Sequence, residues 1–410
     1  MNQIETDCCV AGGGPAGMML GFLLARAGVD VVVLEKHADF LRDFRGDTVH
    51  PSTLDVIGEL GLLDKFLTRP HQEVRELTAV VGGTPVIVAD FGHLGTRCAF
   101  IALMPQWDFL NFLAEEGRRY PAFHVRMQAE VTDLIEEGGA IAGVRATTPD
   151  GPLEVRAPLV VGADGRHSVV RERAGLVVQD LGAPIDVLWM RLPKKPDDAG
   201  AALGRIEAGH ILVMLDRGDY WQCAYVIEKS GFDELKQRGL QALRDGIVTV
   251  APMLRDRIDA LRDWDDVKLL TVTVDRLRRW YSPGLLCIGD AAHAMSPIGG
   301  VGINLAIQDA VAAANLLTEP LRTRKLADGD LARVQRRRLL PVRLIQAIQV
   351  FVQDRIIRRV LGNKKAVTLP FPLRLLQRFP YLRRIPARVV GVGFRPEHVH
   401  TAKACPPSAA

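Results

Sequence analysis

Residues 6–35 read TDCCVAGGGPAGMMLGFLLARAGVDVVVLE, and this stretch decides the fold. The apolar run CCVA predicts a buried strand, GGGPAG predicts a tight turn, and MMLGFLLAR predicts a helix that ends near Gly28. The run VDVVVLEK then predicts a second strand. Because a strand, a helix and a strand in this order form a βαβ unit, we expect a parallel sheet with helices packed against it.

Three glycines of this unit, Gly12, Gly14 and Gly17, have the spacing GxGxxG. The first permits a tight turn, the second lets the backbone approach a pyrophosphate, and the third permits close helix packing. The N-terminus of the helix attracts phosphate groups. Glu35 ends the second strand, where its carboxylate can accept hydrogen bonds from ribose hydroxyls and would repel a 2′-phosphate. The unit therefore predicts a site for FAD or NAD.

The composition is that of a soluble globular protein with two or three domains, since 48% of the 410 residues are hydrophobic and 24% are charged. The N-terminus MNQIETD lacks the basic segment of a signal peptide, so we predict none. Six cysteines are scattered without a CxxC spacing, which predicts neither a disulfide framework nor a metal site and favours a reducing cytoplasm. We also expect no nucleic-acid partner.

The rest of the chain alternates between mixed strand-and-helix segments and a strand-rich region. Helices are predicted at 52–63 and 107–120, short strands within 77–100, and a hairpin at 125–151, followed by a buried strand in PLVVGADG. Between 180 and 267 the strand candidates IDVLWMRL, HILVMLDRG and YWQCAYVIEK precede helical stretches near 232–251 and 254–261. Strand LLCIGD and helix INLAIQDAVAAANLL then return to the mixed strand-and-helix pattern. Two interleaved domains are therefore predicted.

Three motifs occur in a set order along the chain: GGGPAG at 12–17, VVGADGRHSVVR at 160–171 and GDAAHAMSPIGGVGIN at 289–304. In this order and spacing they resemble the group A flavoprotein monooxygenases, the family with the para-hydroxybenzoate hydroxylase fold. The resemblance covers about residues 1–320 and implies an α/β (α+β composite) fold. A Rossmann-like FAD-binding domain would be interleaved with a β-sheet substrate domain and followed by a helical C-terminal region. The implied limits are 1–76, 101–179 and 268–320 for the FAD-binding domain, 77–100 and 180–267 for the substrate domain, 321–400 for a basic helical region, and 401–410 for a disordered tail.

The resemblance also implies which residues bind the cofactor. Arg45 would lie near the pyrophosphate, Gln106 near the ribityl or phosphate region, and Asp290 on the ribityl chain. The loop that begins at Pro297 would run along the flavin ring, and Pro297, Gly299 and Gly300 are the candidates for its catalytic face. The implied FAD-binding set is Gly12, Gly14, Pro15, Ala16, Gly17, Glu35, Arg45, Gln106, Asp164, Gly165, Gly289, Asp290, Pro297, Gly300, Gly302, Ile303 and Asn304.

Two of these positions have a second interpretation. Asp164 can cap the turn that follows its strand, with Gly165 supplying a positive φ, without any contact to a cofactor. Asp290 and His293 stand three apart and could form a catalytic Asp/His pair. No serine or cysteine stands nearby in a recognisable nucleophile elbow, so we favour a flavin-binding role for that stretch.

Substrate residues are expected on the strands of the 180–267 region. Alternation places His210, Leu212 and Met214 on one face of their strand, and Trp221, Cys223 and Tyr225 on one face of the next. The candidates are Trp189, His210, Met214, Trp221 and Tyr225, although alternation does not tell which face points inward. Because these strands are largely apolar, we expect a bulky hydrophobic or polycyclic substrate rather than a small charged one.

The family resemblance implies an FAD- and NAD(P)H-dependent monooxygenase that hydroxylates a hydrophobic aromatic substrate with O2 through a flavin C4a-hydroperoxide. The alternatives are a flavin-dependent reductase of a prenyl or other lipophilic substrate, a flavin-dependent halogenase, and a flavin-binding protein without turnover. The halogenase is disfavoured because the element GWxWxIP is absent. The choice between NADH and NADPH stays open.

The C-terminal region is strongly basic. Residues 319–400 contain nineteen Lys or Arg and five Asp or Glu, a local charge of +14 in a chain of net charge +4. The segment RVQRRRLLPVRLIQAIQVFVQDRIIRRVLG places apolar residues at helical spacing between arginines. Such a helix can lie on an anionic bilayer, pack against the FAD-binding domain or form a homodimer interface. Peripheral contact with the inner face of a membrane and a monomeric or dimeric state are thus open expectations.

Overall fold

The computed structural model describes residues 2–41, 48–198, 203–362, 365 and 367–404. Within these ranges the strands are β1 (Asn2–Glu5), β2 (Cys8–Ala11), β3 (Val31–Leu34), β4 (Thr48–Val49), β5 (Gln72–Val74), β6 (Glu76–Val81), β7 (Thr84–Asp90), β8 (Ile101–Leu103), β9 (Phe123–Arg126), β10 (Glu130–Glu137), β11 (Ala140–Thr148), β12 (Gly151–Arg156), β13 (Leu159–Gly162), β14 (Val178–Asp180), β15 (Ile185–Pro193), β16 (Gly204–Glu207), β17 (His210–Asp216), β18 (Tyr220–Glu228), β19 (Lys268–Leu270), β20 (Asp275–Leu277), β21 (Tyr281–Ser282) and β22 (Leu285–Cys287). The helices are α1 (Pro15–Arg26), α2 (Pro51–Glu59), α3 (Leu63–Leu67), α4 (Gln106–Gly117), α5 (Val169–Arg173), α6 (Phe232–Gln237), α7 (Leu240–Val250), α8 (Gly302–Arg322), α9 (Asp328–Val352), α10 (Arg358–Leu361), α11 (Phe371–Arg378) and α12 (Arg384–Gly391).

A six-stranded sheet of order β21-β22-β13-β2-β3-β9 forms the centre of the first layer. Strands β22, β13, β2, β3 and β9 are parallel, and only the edge strand β21 runs antiparallel to its neighbour. Every residue of β2, β3 and β13 is buried, because their apolar runs face helices and loops on both sides. Helix α1 follows β2 and packs against α4 and α8. The predicted βαβ unit is confirmed.

A seven-stranded sheet of order β19-β15-β18-β17-β16-β6-β7 forms the second layer. Its pairs are antiparallel except for β6 and β16. Strands near residue 80 therefore join strands that follow residue 184, as an interleaved chain requires, while the predicted domain limits stay predictions. One face of this sheet is covered by α7 and by the segment Pro252–Ala260, which is a 3-10 helix where the sequence predicts a helical stretch near 254–261.

The helix predicted at 52–63 is α2, which ends at Glu59 because Gly61 adopts a φ of +73°, and a separate short helix, α3, begins at Leu63. Helix α8 has the length and apolar composition of a membrane span, but 72% of that apolar window is buried within the protein, as in a core helix. Helix α9 packs along α8 and buries Leu331, Val334, Val342 and Ile345. The first C-terminal helix is therefore used for internal packing. In the predicted tail, residues 405–410 lie outside the described residues.

Candidate active site

The three sequence motifs meet at one edge of the parallel sheet. Strands β22, β13 and β2 are neighbours, so the loops after their carboxyl ends lie side by side. The Ala163 amide donates to the Ala11 carbonyl at 2.8 Å, and the Ile288 amide donates to the Gly162 carbonyl at 2.9 Å. A Cβ on Gly12 would lie only 2.4 Å from the Ala163 oxygen. The motifs therefore form one continuous surface, at the position where α/β sheets bind ligands.

Gly289 makes room for two helices in this surface. A Cβ on Gly289 would lie 3.1 Å from Cβ of Ala16 at the start of α1 and 3.3 Å from Cβ of Ala306 in α8. The sequence had assigned Gly289 to the approach of a cofactor. The nearest neighbours show that its small size first serves the packing of α1 and α8 against the loop, and this packing brings both helix N-termini to the same edge.

Helix α1 presents an open, uncapped N-terminus. Gly14 is its N-cap residue and Pro15 opens its first turn, with no side-chain cap and no acidic residue in that turn. A Cβ on Gly14 would meet no atom within 4 Å. The uncapped N-terminus of the helix, with its dipole, thus lies beside open space at Gly14, which suits a diphosphate. Gly17 lies behind them, where its Cβ would lie 2.0 Å from the Gly12 carbonyl oxygen.

Glu35 is fixed at the other end of the same loop. Its carboxylate accepts hydrogen bonds from the amide of Gly13 at 3.0 Å and from the amide of His37 at 3.1 Å. The residue is only 9% exposed, and these two hydrogen bonds fix the orientation of its carboxylate. A carboxylate held in this way retains lone pairs that can accept ribose hydroxyl groups.

Asp164 supports the first turn of helix α5, whose N-cap residue is Ser168. Its carboxylate accepts from Ser168 Oγ at 2.5 Å and from the amide of Val170 at 3.1 Å, while Gly165 has a φ of +87°. Burial raises the pKa of Asp164, although these hydrogen bonds act in the opposite direction. The structural interpretation of Asp164 therefore accounts for its side chain, and a role in cofactor binding stays a prediction.

The loop from Pro297 to Gly300, which we call the glycine loop, is half-buried except at Gly299, which is exposed. Gly299 and Gly300 adopt φ values of +78° and +64°, and the end of the loop leads into α8, which has no side-chain cap and no acid in its first turn. Gly302 and Ile303, the first residues of α8, are half-buried. Backbone N–H groups and a positive helix end therefore stand together here, an arrangement that stabilises negative charge on a neighbouring group.

A chain of polar contacts supports this loop from below. Thr48 Oγ1 donates to the Gly300 carbonyl at 3.0 Å, and His50 Nε2 lies 3.2 Å from Thr48 Oγ1. His50 Nδ1 lies 2.7 Å from the Val390 carbonyl of α12, so Nδ1 carries the ring proton and donates it to this carbonyl. Burial lowers the pKa of His50 to about 4, which keeps the ring neutral at pH 7. The loop is thereby tied to strand β4 and to the C-terminal helix.

Asn304 anchors the first turn of α8. Its Oδ1 accepts hydrogen bonds from Ser52 Oγ and Thr53 Oγ1, each at 2.8 Å. All three side chains are buried. The sequence placed Asn304 at the positive end of the helix but gave no indication of its two hydroxyl donors. Both donors lie at the start of the helix predicted at 52–63.

Glutamine side chains at the end of helix α9 hold residues 294–298, which lead into the glycine loop. Gln349 accepts from the Ser296 amide at 3.2 Å and donates to the Ser296 and Ile298 carbonyls, each at 2.9 Å. Gln346 donates to the Ala294 carbonyl at 3.1 Å, and Gln353 donates to Ser296 Oγ. These residues were missed in the sequence. Their spacing of three and four residues, a polar stripe inside an amphipathic helix, was the available signal.

The structure separates the suspected Asp/His pair. Asp290 Oδ2 lies 3.8 Å from Nη2 of Arg166, whereas His293 Nε2 lies 2.6 Å from Oδ2 of Asp309. His293 is buried beneath the ring of Trp280, with centroids 4.9 Å apart. His293 is therefore a structural residue, and Asp290, whose side chain is 37% exposed, is the carboxylate of the motif that a ligand can reach.

Asp309 is the centre of a buried charge network. Arg338 Nε donates to Asp309 Oδ1 at 2.9 Å, and Arg338 Nη1 lies 3.3 Å from Glu397 Oε1. Burial would raise the pKa of Asp309, but His293 and Arg338 bring it below its ordinary value. The Gly289 amide also donates to Asp309 at 3.1 Å. The network thus joins the third motif to α8, α9 and the C-terminal segment.

The remaining cofactor candidates fall into two groups. Gln106 is the first residue of α4, three residues after strand β8, which pairs with Thr48 and Val49. Its contact with a cofactor stays a prediction. Arg45 lies outside the described residues.

The substrate candidates are divided between the two faces of the second sheet. Met214, Trp221 and Tyr225 lie in the core that the sheet forms with α7. A Cβ on Gly246 of α7 would lie 2.5 Å from the hydroxyl of Tyr225, and His210 Nδ1 is 2.5 Å from the same hydroxyl. Burial raises the pKa of Tyr225 to about 12 and lowers that of His210.

The interpretation of these four residues as a pocket is therefore corrected, because a helix covers the face on which they lie. Trp189 lies on the opposite face, in a cluster with Val213, Leu103 and Val390. Val390 also approaches the glycine loop, since its Cγ2 is 3.7 Å from where a Cβ of Gly299 would be. Trp189 is the candidate whose position agrees with a substrate role.

These elements fit an FAD molecule laid along the edge of the sheet. The open N-terminus of α1 suits its diphosphate, the anchored Glu35 suits a ribose, and the glycine loop before α8 suits a flat ring that gains negative charge on reduction.

A protein family described as an FAD binding domain matches residues 5–343. The chain belongs to this family. The flavoprotein monooxygenase assignment and the α/β fold class are confirmed, since 6-methylpretetramide 4-monooxygenase of Streptomyces rimosus is 35% identical over 94% of this chain and 92% of that protein. A dialkyldecalin synthase of Streptomyces rugosporus is 28% identical over 74% of this chain and 63% of its own length. The structure of P. aeruginosa PqsL in complex with 2-aminobenzoylacetate superposes with a TM-score of 0.74 at 25% identity, covering 87% of this chain and 97% of that one.

Proposed function

We propose that this flavoprotein monooxygenase hydroxylates an electron-rich, polycyclic aromatic substrate of the polyketide-phenol type. The observation that carries this proposal is the similarity over nearly the full chain to a protein named 6-methylpretetramide 4-monooxygenase. Substrates of that class are large, flat and lipophilic, and binding them requires an apolar surface beside the ring-binding loop.

The apolar face of the second sheet supports this substrate class. Trp189, Leu203 and Val213 are partly buried there, beside Phe91 and Val390. Val390 approaches Gly299, so this cluster borders the glycine loop directly. A fused aromatic ring system between the two would bury apolar area at about 25 cal/mol per Å² and stack against Trp189.

When FAD is bound, it supplies the redox chemistry, accepting electrons from a reduced nicotinamide and activating molecular oxygen. NAD(P)H and O2 are co-substrates in this proposal. The chain supplies binding and electrostatics: the α1 N-terminus and Glu35 orient the nucleotide, and the uncapped N-terminus of α8 stabilises charge beside the ring. The apolar cluster around Trp189 limits the access of water. A cytoplasmic location, inferred from the cysteine pattern, belongs to the same proposal.

The test is a substrate screen with the purified yellow holoprotein. Phenols and linear polycyclic phenols are added with NADH or NADPH, and nicotinamide oxidation, oxygen uptake and product mass are measured together. The proposal expects a polycyclic phenol to stimulate both consumptions and to gain one oxygen atom. A product of unchanged mass would instead indicate a cyclase, as the name of the dialkyldecalin synthase suggests for that relative. Alkene saturation without oxygen uptake would indicate a reductase, and halide-dependent products a halogenase.

A pair of variants tests the substrate face. Trp189→Leu should raise KM about tenfold, because it removes aromatic stacking and apolar area from the proposed pocket. Tyr225→Phe changes the opposite face and should leave KM unchanged. FAD content serves as the control in both. An increase of KM in the second variant alone would place the substrate on the other face of the sheet.

A further inference from the structure

The last two helices expose large apolar side chains. Phe371 of α11 is 75% exposed, Tyr381 is 63% exposed, and Ile385 of α12 is 63% exposed. Leu375 and Phe379 follow Phe371 at intervals of four residues and are 36% and 39% exposed. Helices α11 and α12 both contact the 3-10 turn Pro380–Arg383 between them. We call residues 371–388 the C-terminal surface. Contiguous apolar exposure of this kind marks an interaction site.

The same surface carries only positive charge. Residues 367–396 contain six arginines and no aspartate or glutamate. Arg374 and Arg383 donate to the carbonyls of Leu369 and Leu376, which shapes the segment. Within the described residues, no ion pair joins an arginine of the C-terminal surface to a carboxylate. The partner of this surface should therefore be anionic and should accept apolar side chains.

The C-terminal surface continues toward the active site. Arg384, Ile385, Arg388, Val389, Gly393 and Phe394 line an open groove of about 270 Å³. Val389, Gly393 and Phe394 also line a smaller cleft that reaches Asn304. The carbonyl of Val390 on the same helix accepts the hydrogen bond from His50 below the glycine loop. A partner at this surface would thus lie beside the elements that border the proposed substrate pocket.

Charge and geometry favour a lipid surface over a second copy of the chain. In a symmetric dimer built on this patch, arginines would face arginines without acidic partners. An anionic bilayer neutralises the arginines at its headgroups and receives Phe371, Tyr381 and Ile385 at the acyl boundary, as amphipathic interfacial helices do. We propose that the C-terminal surface docks this protein on an anionic lipid bilayer. This docking does not depend on the identity of the substrate.

The experiment is vesicle flotation of the FAD-loaded full chain. Phosphatidylcholine vesicles are compared with vesicles that also contain phosphatidylglycerol, at low and high ionic strength. Flotation with the anionic vesicles alone, weakened by salt, is expected. No flotation with anionic vesicles would overturn the proposal, as would equal flotation with neutral vesicles.

Two variants separate the charge from the apolar residues. Arg378→Gln with Arg384→Gln should lower partitioning roughly 30-fold, since each surface arginine contributes about a fivefold gain in partitioning. Phe371→Ser, Tyr381→Ser and Ile385→Ser together should lower it more than about tenfold. Full binding by the apolar triple variant would show simple adsorption of charge and would contradict insertion.

Matched controls lie elsewhere on the molecule. Arg255→Gln with Arg262→Gln removes two exposed arginines, and Val177→Ser with Leu269→Ser removes apolar side chains that are 56% and 43% exposed. Both control proteins should float like the wild type. Melting temperature and FAD content confirm that all variants are folded. Light scattering without vesicles tests for a dimer, which is the alternative use of the surface. A wild-type dimer that becomes a monomer in the apolar triple variant, together with no flotation, would assign the surface to a second copy of the chain.

Discussion

Gly12 and Ala163 approach each other so closely that a Cβ on Gly12 would lie 2.4 Å from the Ala163 carbonyl oxygen. This contact joins the first motif to the second, and Gly12 has a φ of +109°. Gly14, only two residues away, has open space in front of it and an ordinary φ of −75°. Neighbouring glycines of one motif therefore differ: the fold requires the first, and ligand binding by the second stays a prediction.

Gly14→Ala tests the ligand role. The added methyl group meets no protein atom but occupies the approach to the N-terminus of α1, so FAD affinity should fall at least about tenfold. The free energy of unfolding of the apoprotein should change by no more than about 1 kcal/mol. Fluorescence titration with FAD and denaturant unfolding measure the two quantities.

Two further glycines are controls for that result. Gly329→Ala, in the first turn of α9 with no neighbour within 4 Å, should change neither quantity appreciably. Gly12→Ala should destabilise the apoprotein by about 3 kcal/mol or more, because strain at positive φ adds to a backbone clash. Unchanged FAD affinity in Gly14→Ala would mean that the diphosphate binds elsewhere.

Gln349→Ala should loosen the glycine loop. It removes the partner of one amide and two carbonyls at Ser296 and Ile298, and each unsatisfied buried group costs about 1–3 kcal/mol. Hydrogen exchange across residues 294–300 should accelerate. Gln335→Ala is the matched control, since Gln335 on the same helix binds the Trp280 amide and the Arg278 carbonyl. It should accelerate exchange near 278–280 only, and equal effects of the two variants would argue against local support by Gln349.

Arg338→Met should strongly destabilise the fold. Arg338 is 1% exposed and pairs with Asp309 and Glu397, so its removal deprives two buried carboxylates of the buried cation that they share, at about 3–5 kcal/mol. Arg337→Met is the control: Arg337 pairs with the same Glu397 but its side chain is 39% exposed, so a loss of no more than about 1 kcal/mol is expected. Urea unfolding of both proteins gives the comparison, and similar losses would show that the network adds little.

His50 should make the protein sensitive to mild acid. Burial lowers its pKa from 6.5 to about 4. The unfolded chain binds a proton at His50 more readily than the folded protein does. The contribution of neutral His50 to the free energy of unfolding is therefore complete above about pH 6.5 and is lost as the pH falls toward 4. From pH 7 to pH 5 the loss is about 2 kcal/mol. His50→Gln should remove this part of the pH dependence of unfolding, and an unchanged dependence would assign it to other groups.

Local patterns predicted the parts of the fold that depend on neighbouring residues. The βαβ unit, the turn at Gly165 and the loop that precedes α8 all follow from short runs of sequence. The supports of the glycine loop did not, because they join distant segments: Gln349 binds Ser296, 53 positions away, and His50 binds Val390, 340 positions away. Alternation correctly placed Leu212 and Met214 on one face of their strand, but only the position of α7 shows that this face is covered.

Labelled molecular oxygen tests the central claim most directly. The holoprotein is incubated with the reduced nicotinamide, the polycyclic phenol found in the screen and isotopically labelled O2, and the product is analysed by mass spectrometry. Incorporation of one labelled atom per product, with stoichiometric nicotinamide oxidation, is the predicted result. A product without the label, or one whose oxygen derives from water, would contradict the assignment of this chain as an aromatic hydroxylase.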